Sequence, residues 1–183
     1  MPALNYILEQ FADAGYDCHY KVLNSKDFDV PQNRERIFIV GFRKNLNIAK
    51  NYVFPQGQET TKVLNDVLEK DVPESYFHSE KSMKYINGSM KGETTTRFEK
   101  YGSSYNKISR CLFAIIYKGA PYNVVLDSNG RHRRYLTREL ARLQGYPEDF
   151  KLHPVKTHAY KQLGNSVTVP VVQAIMKSVQ ERL

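Results

Sequence analysis

Apolar positions change period twice within the first forty residues. Leu4, Ile7, Leu8 and Phe11 recur at i, i+3, i+4 and i+7, and Gly15 stands where a helix would close, so the spacing predicts an amphipathic helix over residues 3–14. Cys18, Tyr20 and Val22 then alternate with polar neighbours, as a strand does. After a loop, the apolar run from Ile37 to Phe42 is too short for a helix and rich in β-branched and aromatic types, which predicts a buried strand. Helix, strand and strand in this order read as the closing portion of an α/β sheet, with too few strands to stand alone.

Between about Asn45 and Arg131 the apolar runs shorten, and Gly, Ser, Thr, Asn and Lys accumulate, as at Asn87-Gly88-Ser89, Lys91-Gly92-Glu93 and Gly102-Ser103-Ser104. Val63, Leu64, Val67 and Leu68 have helical spacing, with Thr60 or Thr61 as cap. Strands are expected at Ile108 to Tyr117 and Asn123 to Leu126, separated by a turn at Lys118-Gly119-Ala120-Pro121, with a further turn at Asn129-Gly130. Regular patterning then returns. Leu140, Ala141 and Leu143 predict a helix from Thr137 stopped by Gly145-Tyr146-Pro147, a second helix runs to Leu163, and Thr168 caps a third. That last helix carries Pro170 in its first turn and Val169, Val172, Ile175, Met176, Val179 and Leu183 on one face, with Met176 and Val179 expected in the core.

Composition adds a partner class. The chain has 183 residues and a net charge of +8, with thirteen Tyr and nine Phe; a basic surface with many aromatics suggests nucleic acid. No apolar run approaches the roughly 20 residues of a membrane-spanning helix, and the first residues lack the layout of a secretory signal, so a cytoplasmic protein is expected. The cysteines, Cys18 and Cys111, form no metal-ligand spacing with each other or with histidine, and no metal is expected.

The candidate chemistry begins at Arg34 and Arg36, one residue apart at the mouth of the second strand, where side chains of equal parity point to one face and can grip one anion or planar base. The alternative is a pair of surface arginines matched with Glu35 and other carboxylates. Three blocks in order decide the reading: Pro31-Gln32-Asn33-Arg34-Glu35-Arg36, then Arg138-Glu139-Leu140-Ala141-Arg142-Leu143-Gln144-Gly145-Tyr146-Pro147, then Gly164-Asn165-Ser166-Val167. Together these resemble the Gln-x-Arg-x-Arg, Arg-Glu-x-x-Arg-Leu-Gln-Gly-[Phe/Tyr]-Pro and Gly-Asn-[Ser/Ala]-Val blocks of the bacterial restriction-modification DNA (cytosine-5) methyltransferases.

That resemblance implies an α/β fold: the C-terminal part of a Rossmann-like catalytic domain (1–48 and 133–183) interrupted by a loop-rich, mainly β target recognition domain (49–132). It implies DNA methylation, the transfer of a methyl group from S-adenosyl-L-methionine to C5 of a cytosine flipped out of duplex DNA. Arg36 would hold the base oxygen, Arg34 the phosphate or the nucleophile's surroundings, and Gln32 would support both. Asn165, Ser166 and Val167 would line the cofactor pocket, and Arg97, Ser104, Asn106 and Arg110 would contact DNA. Arg138, Glu139 and Arg142 would organise the recognition lobe, or else form an exposed helix face with local ion pairs.

The family's Phe-x-Gly-x-Gly, Pro-Cys and Glu-Asn-Val blocks are not in this sequence, and Cys111 stands where many members have Thr before Leu. The expectation is a C-terminal fragment that is inactive alone and needs an N-terminal half, on the same or a separate polypeptide, for the nucleophile and most of the cofactor site. The alternatives are a catalytically inactive sequence-specific DNA-binding module and a truncated remnant, whose exposed sheet edge would lead to self-association.

Overall fold

The computed structural model describes residues 2–88, 94–113, 115 and 123–183. The first apolar stripe forms α1 (Pro2–Asp13), closed at Gly15, whose φ of 86° is left-handed and suits a residue without Cβ. β1 (Tyr16–Asn24) and β2 (Glu35–Arg43) pair antiparallel over their whole length, from Tyr16 opposite Arg43 to Asn24 opposite Glu35. Alternation along the strands sends Leu23, Phe38, Val40 and Phe42 to one face and Tyr20, Val22, Ile37 and Ile39 to the other. The first face packs with Phe28, Ala49, Tyr52, Phe54, Val171 and Ile175 into one buried cluster. On the second face Tyr20, Val22 and Ile37 are 52%, 57% and 46% exposed. The expected buried strand is therefore buried on one face only, because no described element closes over the other.

The middle stretch contributes α2 (Glu80–Ile86), α3 (Arg97–Tyr101) and a small sheet in which β3 (Ser103–Ser104) runs parallel and β5 (His132–Arg134) antiparallel to β4 (Val124–Leu126). The helical spacing at Val63 to Leu68 yields one 3-10 turn, Leu64–Asp66, because the N–H groups of Leu64 and Asn65 donate to the carbonyls of Lys107 and Tyr105 and Asp66 accepts from the Val63 N–H. In place of the expected strand, residues 108–113 are irregular chain that meets Gln32 in a single bridge at Ser109. The Asn123 side chain accepts from Phe113 N–H (3.0 Å) and donates to the Cys111 carbonyl (3.3 Å), doing the work of a neighbouring strand. The remainder of that expected strand, apart from Ile115, and the turn at 118–121 lie outside the described residues, as do Ser89 and 91–93.

The last fifty residues form α4 (Thr137–Leu143), α5 (Lys156–Asn165) and α6 (Val169–Gln180). Leu64, Leu112 and Val125 from the middle stretch share one buried cluster with Tyr135, Leu140, Ala141, Leu143 and Leu163, so these segments have a single core in common. After α4 the chain reverses at Gly145, where φ is 74° and an added Cβ would lie 2.3 Å from Pro170 Cδ, so only glycine lets α6 approach. Three helix expectations shift. Gly164 lies inside α5 and the turn falls at Ser166. Thr168 occupies the N-cap position of α6 without capping it, because its hydroxyl is used elsewhere. The buried stripe of α6 is Val171 and Ile175, leaving Met176 51% exposed and Leu183, beyond the helix, 83% exposed. No helix among the described residues is long and apolar enough to cross a membrane.

Candidate functional site

The connection from β1 to β2 turns its polar side chains inward. Gln32 is fully buried; its amide N–H donates to the Leu143 carbonyl (2.8 Å) and its oxygen accepts from Leu112 N–H (3.2 Å), joining the end of α4 to the middle stretch. Gln144 continues the seam, donating to the Leu163 carbonyl (2.8 Å) and accepting from the Thr168 hydroxyl (3.0 Å), which lies 2.7 Å from the Ser25 hydroxyl. All four polar side chains are at most 3% exposed, and each is hydrogen-bonded, which is the condition for a buried polar chain to fix geometry rather than destabilise it.

Arg34 lies beside this seam at 4% exposure. Nη1 donates to the Leu112 carbonyl (2.9 Å), and Nη2 to the carbonyls of Gly164 (3.0 Å) and Ser166 (2.7 Å), so one guanidinium clamps the middle stretch to the end of α5. Nη1 also reaches Cys111 Sγ at 3.4 Å, and the exposed Arg36 brings Nη2 within 3.5 Å of the same sulfur while Nη1 donates to the Glu35 carbonyl. Two cations thus meet at one thiol, and neither forms an ion pair among the described residues. Burial is the largest influence on Arg34, lowering its pKa from the ordinary 12.5; Cys111 opposes this, and the Arg36 charge adds to it. The guanidinium remains protonated, a positive charge met by carbonyl dipoles and the Cys111 sulfur and by no carboxylate among the described residues. Arg34 is not free to grip a phosphate, because only its Nε lacks a partner and that atom is buried. Arg36 is the arm of the pair that solvent or a ligand can reach.

Residues 2–181 match the family model of the C-5 cytosine-specific DNA methylases. The chain belongs to this family. It is 37% identical over 188 residues to the type II methyltransferase M.Bsp6I of Bacillus sp. (strain RFL6), covering 97% of this chain and 59% of that protein. It is 36% identical over 176 residues to M.SsoII of Shigella sonnei, covering 91% of this chain and 45% of that one. The chain thus spans about half the length of these curated relatives. The solved structure of the S. pombe Dnmt2 methyltransferase superposes with a TM-score of 0.73 at 18% identity, covering 99% of this chain and 63% of that one, which shows a shared fold.

The other residues singled out in this methylase chain are dispersed. Asn165 ends α5 and is exposed, Val167 is 49% exposed, and Ser166 is half-buried with its hydroxyl 2.7 Å from Tyr146 OH. Ser104 lines a cleft of about 680 Å³ together with Asn33, Glu35, Lys107 and Arg110, and Asn106 is exposed. Arg97 and Arg110 are engaged locally: Arg97 donates to the carbonyls of Tyr85 and Gly88 and stacks 4.2 Å from the Tyr85 ring, and Arg110 donates to the carbonyls of Gly102 and Glu99.

Glu139 is not on an exposed helix face. It is fully buried, accepting two hydrogen bonds from Arg133 (2.9 and 2.7 Å) and one each from the N–H groups of Glu69 and Leu136. Sequence reasoning missed this pair. The available signal was the six-residue spacing of an arginine and a glutamate on either side of the apolar Tyr135-Leu136.

Proposed function

We propose that the chain is the DNA-recognising, C-terminal part of a DNA (cytosine-5) methyltransferase that works with an N-terminal half carrying the nucleophile. The observation that carries this reading is the pair of cations without carboxylate partners at Cys111, Arg34 buried and fixed, Arg36 exposed and reachable. Such a site favours an anion or a ring that gains negative charge, and a preorganised charge does so without reorganising when the reaction occurs. Arg36 holds the flipped cytosine at its oxygen. Arg34 is a positioning residue, and Gln32 supports it by tying Leu143 to Leu112.

Residues 49–132 act as the target recognition domain. Ser104, in the lining of the cleft, and the exposed Asn106 are better placed for DNA than Arg97 and Arg110, whose guanidinium groups hold neighbouring carbonyls. Asn165, Ser166 and Val167 form one wall of the S-adenosyl-L-methionine site, with the other half supplying the rest; when bound, that cofactor supplies the methyl group.

Co-expression of the chain with the part of M.Bsp6I that lies outside the matched stretch, followed by transfer of labelled methyl groups to DNA, tests this reading. Methylation by the pair and by neither piece alone is the expected result; methylation by the chain alone would overturn the dependence on a second half. The second reading, a DNA-binding module without catalysis, is favoured by the single core that the middle stretch shares with α4 and α5, which lets the lobe fold without further protein. Selection from a randomised duplex pool separates the two: tight enrichment of one site by the chain alone, without methylation in the pair, favours the module.

A further inference from the structure

From Phe150 to Gln180 the chain has no aspartate or glutamate, and it carries Lys151, Lys156, Lys161 and Lys177 with His153 and His158. Other surface cations of this fold are matched with carboxylates: Lys26 with Glu59, Lys62 with Asp29, and Arg142 with Glu69 and Glu148. Lys151, Lys156 and Lys161 are exposed, and none of them forms an ion pair among the described residues.

Contacts join these charges into one surface. The rings of His153 and His158 meet at 4.7 Å, which lays the segment before α5 along that helix, and Lys151, His153 and Gln162 line one groove of about 350 Å³. Lys161 stands one turn beyond His158 on the outward stripe of α5, opposite the buried Ala159 and Leu163. Lys156 lies 4.9 Å from the centre of the Tyr76 ring, and the exposed Arg134 lies 5.5 Å from the same ring. Glu148, just before the stretch, is held by Arg142.

Resting on the functional reading above, we infer that Arg134, Lys151, Lys156 and Lys161 form a second DNA surface, outside both the Arg36 site and residues 49–132, which holds backbone phosphates of the duplex flanking the target. α5 sets its reach. The helix gives its Gly164 carbonyl to Arg34, and Lys156 at its first position is eight residues back, about 12 Å along the axis. That is the rise of roughly three to four base pairs, so the surface is within a flank's reach of a base held at Arg36. Residue type favours phosphate over base edges: lysine is a point charge on a flexible stem, whereas bases are read by fixed planar groups. A duplex carries one negative charge per about 1.7 Å of axis, so such cations find partners in any register.

The test is binding of the full chain to a mixed-sequence duplex of about 30 base pairs, read by fluorescence anisotropy between about 50 and 300 mM salt. Replacing Lys151, Lys156 and Lys161 together by Gln should weaken binding at least tenfold at low salt and reduce the salt slope by about 2 to 3, while the pool selection described above enriches the same site as for the parent. Arginine at the three positions should restore the slope. Lys21→Gln, Lys44→Gln and Lys50→Gln combined remove the same charge at the β1–β2 end and should leave the slope as in the parent. All variants are checked for parental thermal unfolding. An unchanged slope, an equal fall in the control, no rescue by arginine, or no duplex binding by the parent at the lowest salt overturns the surface. Tighter binding of single-stranded RNA, lost in the glutamine variant, overturns the occupant. The functional reading is scored separately: a reduced slope without site enrichment or methylation by the pair keeps the surface and removes that reading, and enrichment with methylation at an unchanged slope does the reverse.

Discussion

Arg133 and Arg34 are both almost completely buried, at 1% and 4% exposure, and the fold treats their charges differently. Arg133 is neutralised by Glu139 through two parallel hydrogen bonds, and the carboxylate in turn holds two backbone N–H groups, so the charge is consumed within the structure. Arg34 is given carbonyl oxygens and a thiol but no carboxylate, and it stands next to a second cation. A charge that only held segments together would be better served by the Arg133 arrangement, since burying an ion without a counter-ion is costly. The difference marks Arg133 as scaffold and, on the proposed function, makes Arg34 a preorganised charge that acts on a ligand held by Arg36.

The comparison breaks most sharply at Glu139. Glu139→Ala leaves Arg133 buried without its partner and strips acceptors from two N–H groups, and a loss of about 3–5 kcal/mol is expected in urea denaturation. A loss below about 1 kcal/mol would mean that the pair is not the anchor described here. Arg34→Met is expected to cost less, about 2–3 kcal/mol, because the orphaned carbonyls are partly offset by removal of a desolvated charge. A rise in stability would sharpen the contrast further, since the charge would then be a pure burden on the fold.

The elements were legible from periodicity because α1, β1, β2, α4, α5 and α6 each bury or bond along a regular pattern. What periodicity could not report is which faces are covered. Met176 and Val171 are both apolar on α6, and only packing against the sheet decides that Val171 is buried and Met176 is not. The helix expected at Val63 to Leu68 failed because long-range carbonyls of Tyr105 and Lys107 captured its N–H groups. At the site, the spacing of Arg34 and Arg36 was visible and their division of labour was not. That division depends on Leu112, Gly164 and Ser166, which are 78, 130 and 132 residues from Arg34.

A smaller effect is expected from pH. His78 and His132 are half-buried, His78 Nε2 has no partner, and burial is the main cause holding both below their ordinary 6.5. The unfolded chain then binds more protons than the native one, so their contribution to stability is present above 6.5 and falls as pH drops below it. The urea midpoint should be lower at about pH 5.5 than at about pH 7.5, and His78→Gln should flatten that dependence. An equal slope in the variant would assign the effect to other groups.

The smallest effect on stability is expected at Arg36, and there the account of the site is most exposed. Its side chain lies in solvent and holds only the adjacent Glu35 carbonyl and the Cys111 sulfur, so Arg36→Ala should leave the urea midpoint within about 0.5 kcal/mol of the parent. In the pair reconstituted with the other half, the same variant should lose methyl transfer to DNA. Unchanged stability with abolished transfer is the expected result. Transfer that persists in a folded Arg36→Ala pair would contradict the assignment of the free cation to the reacting base.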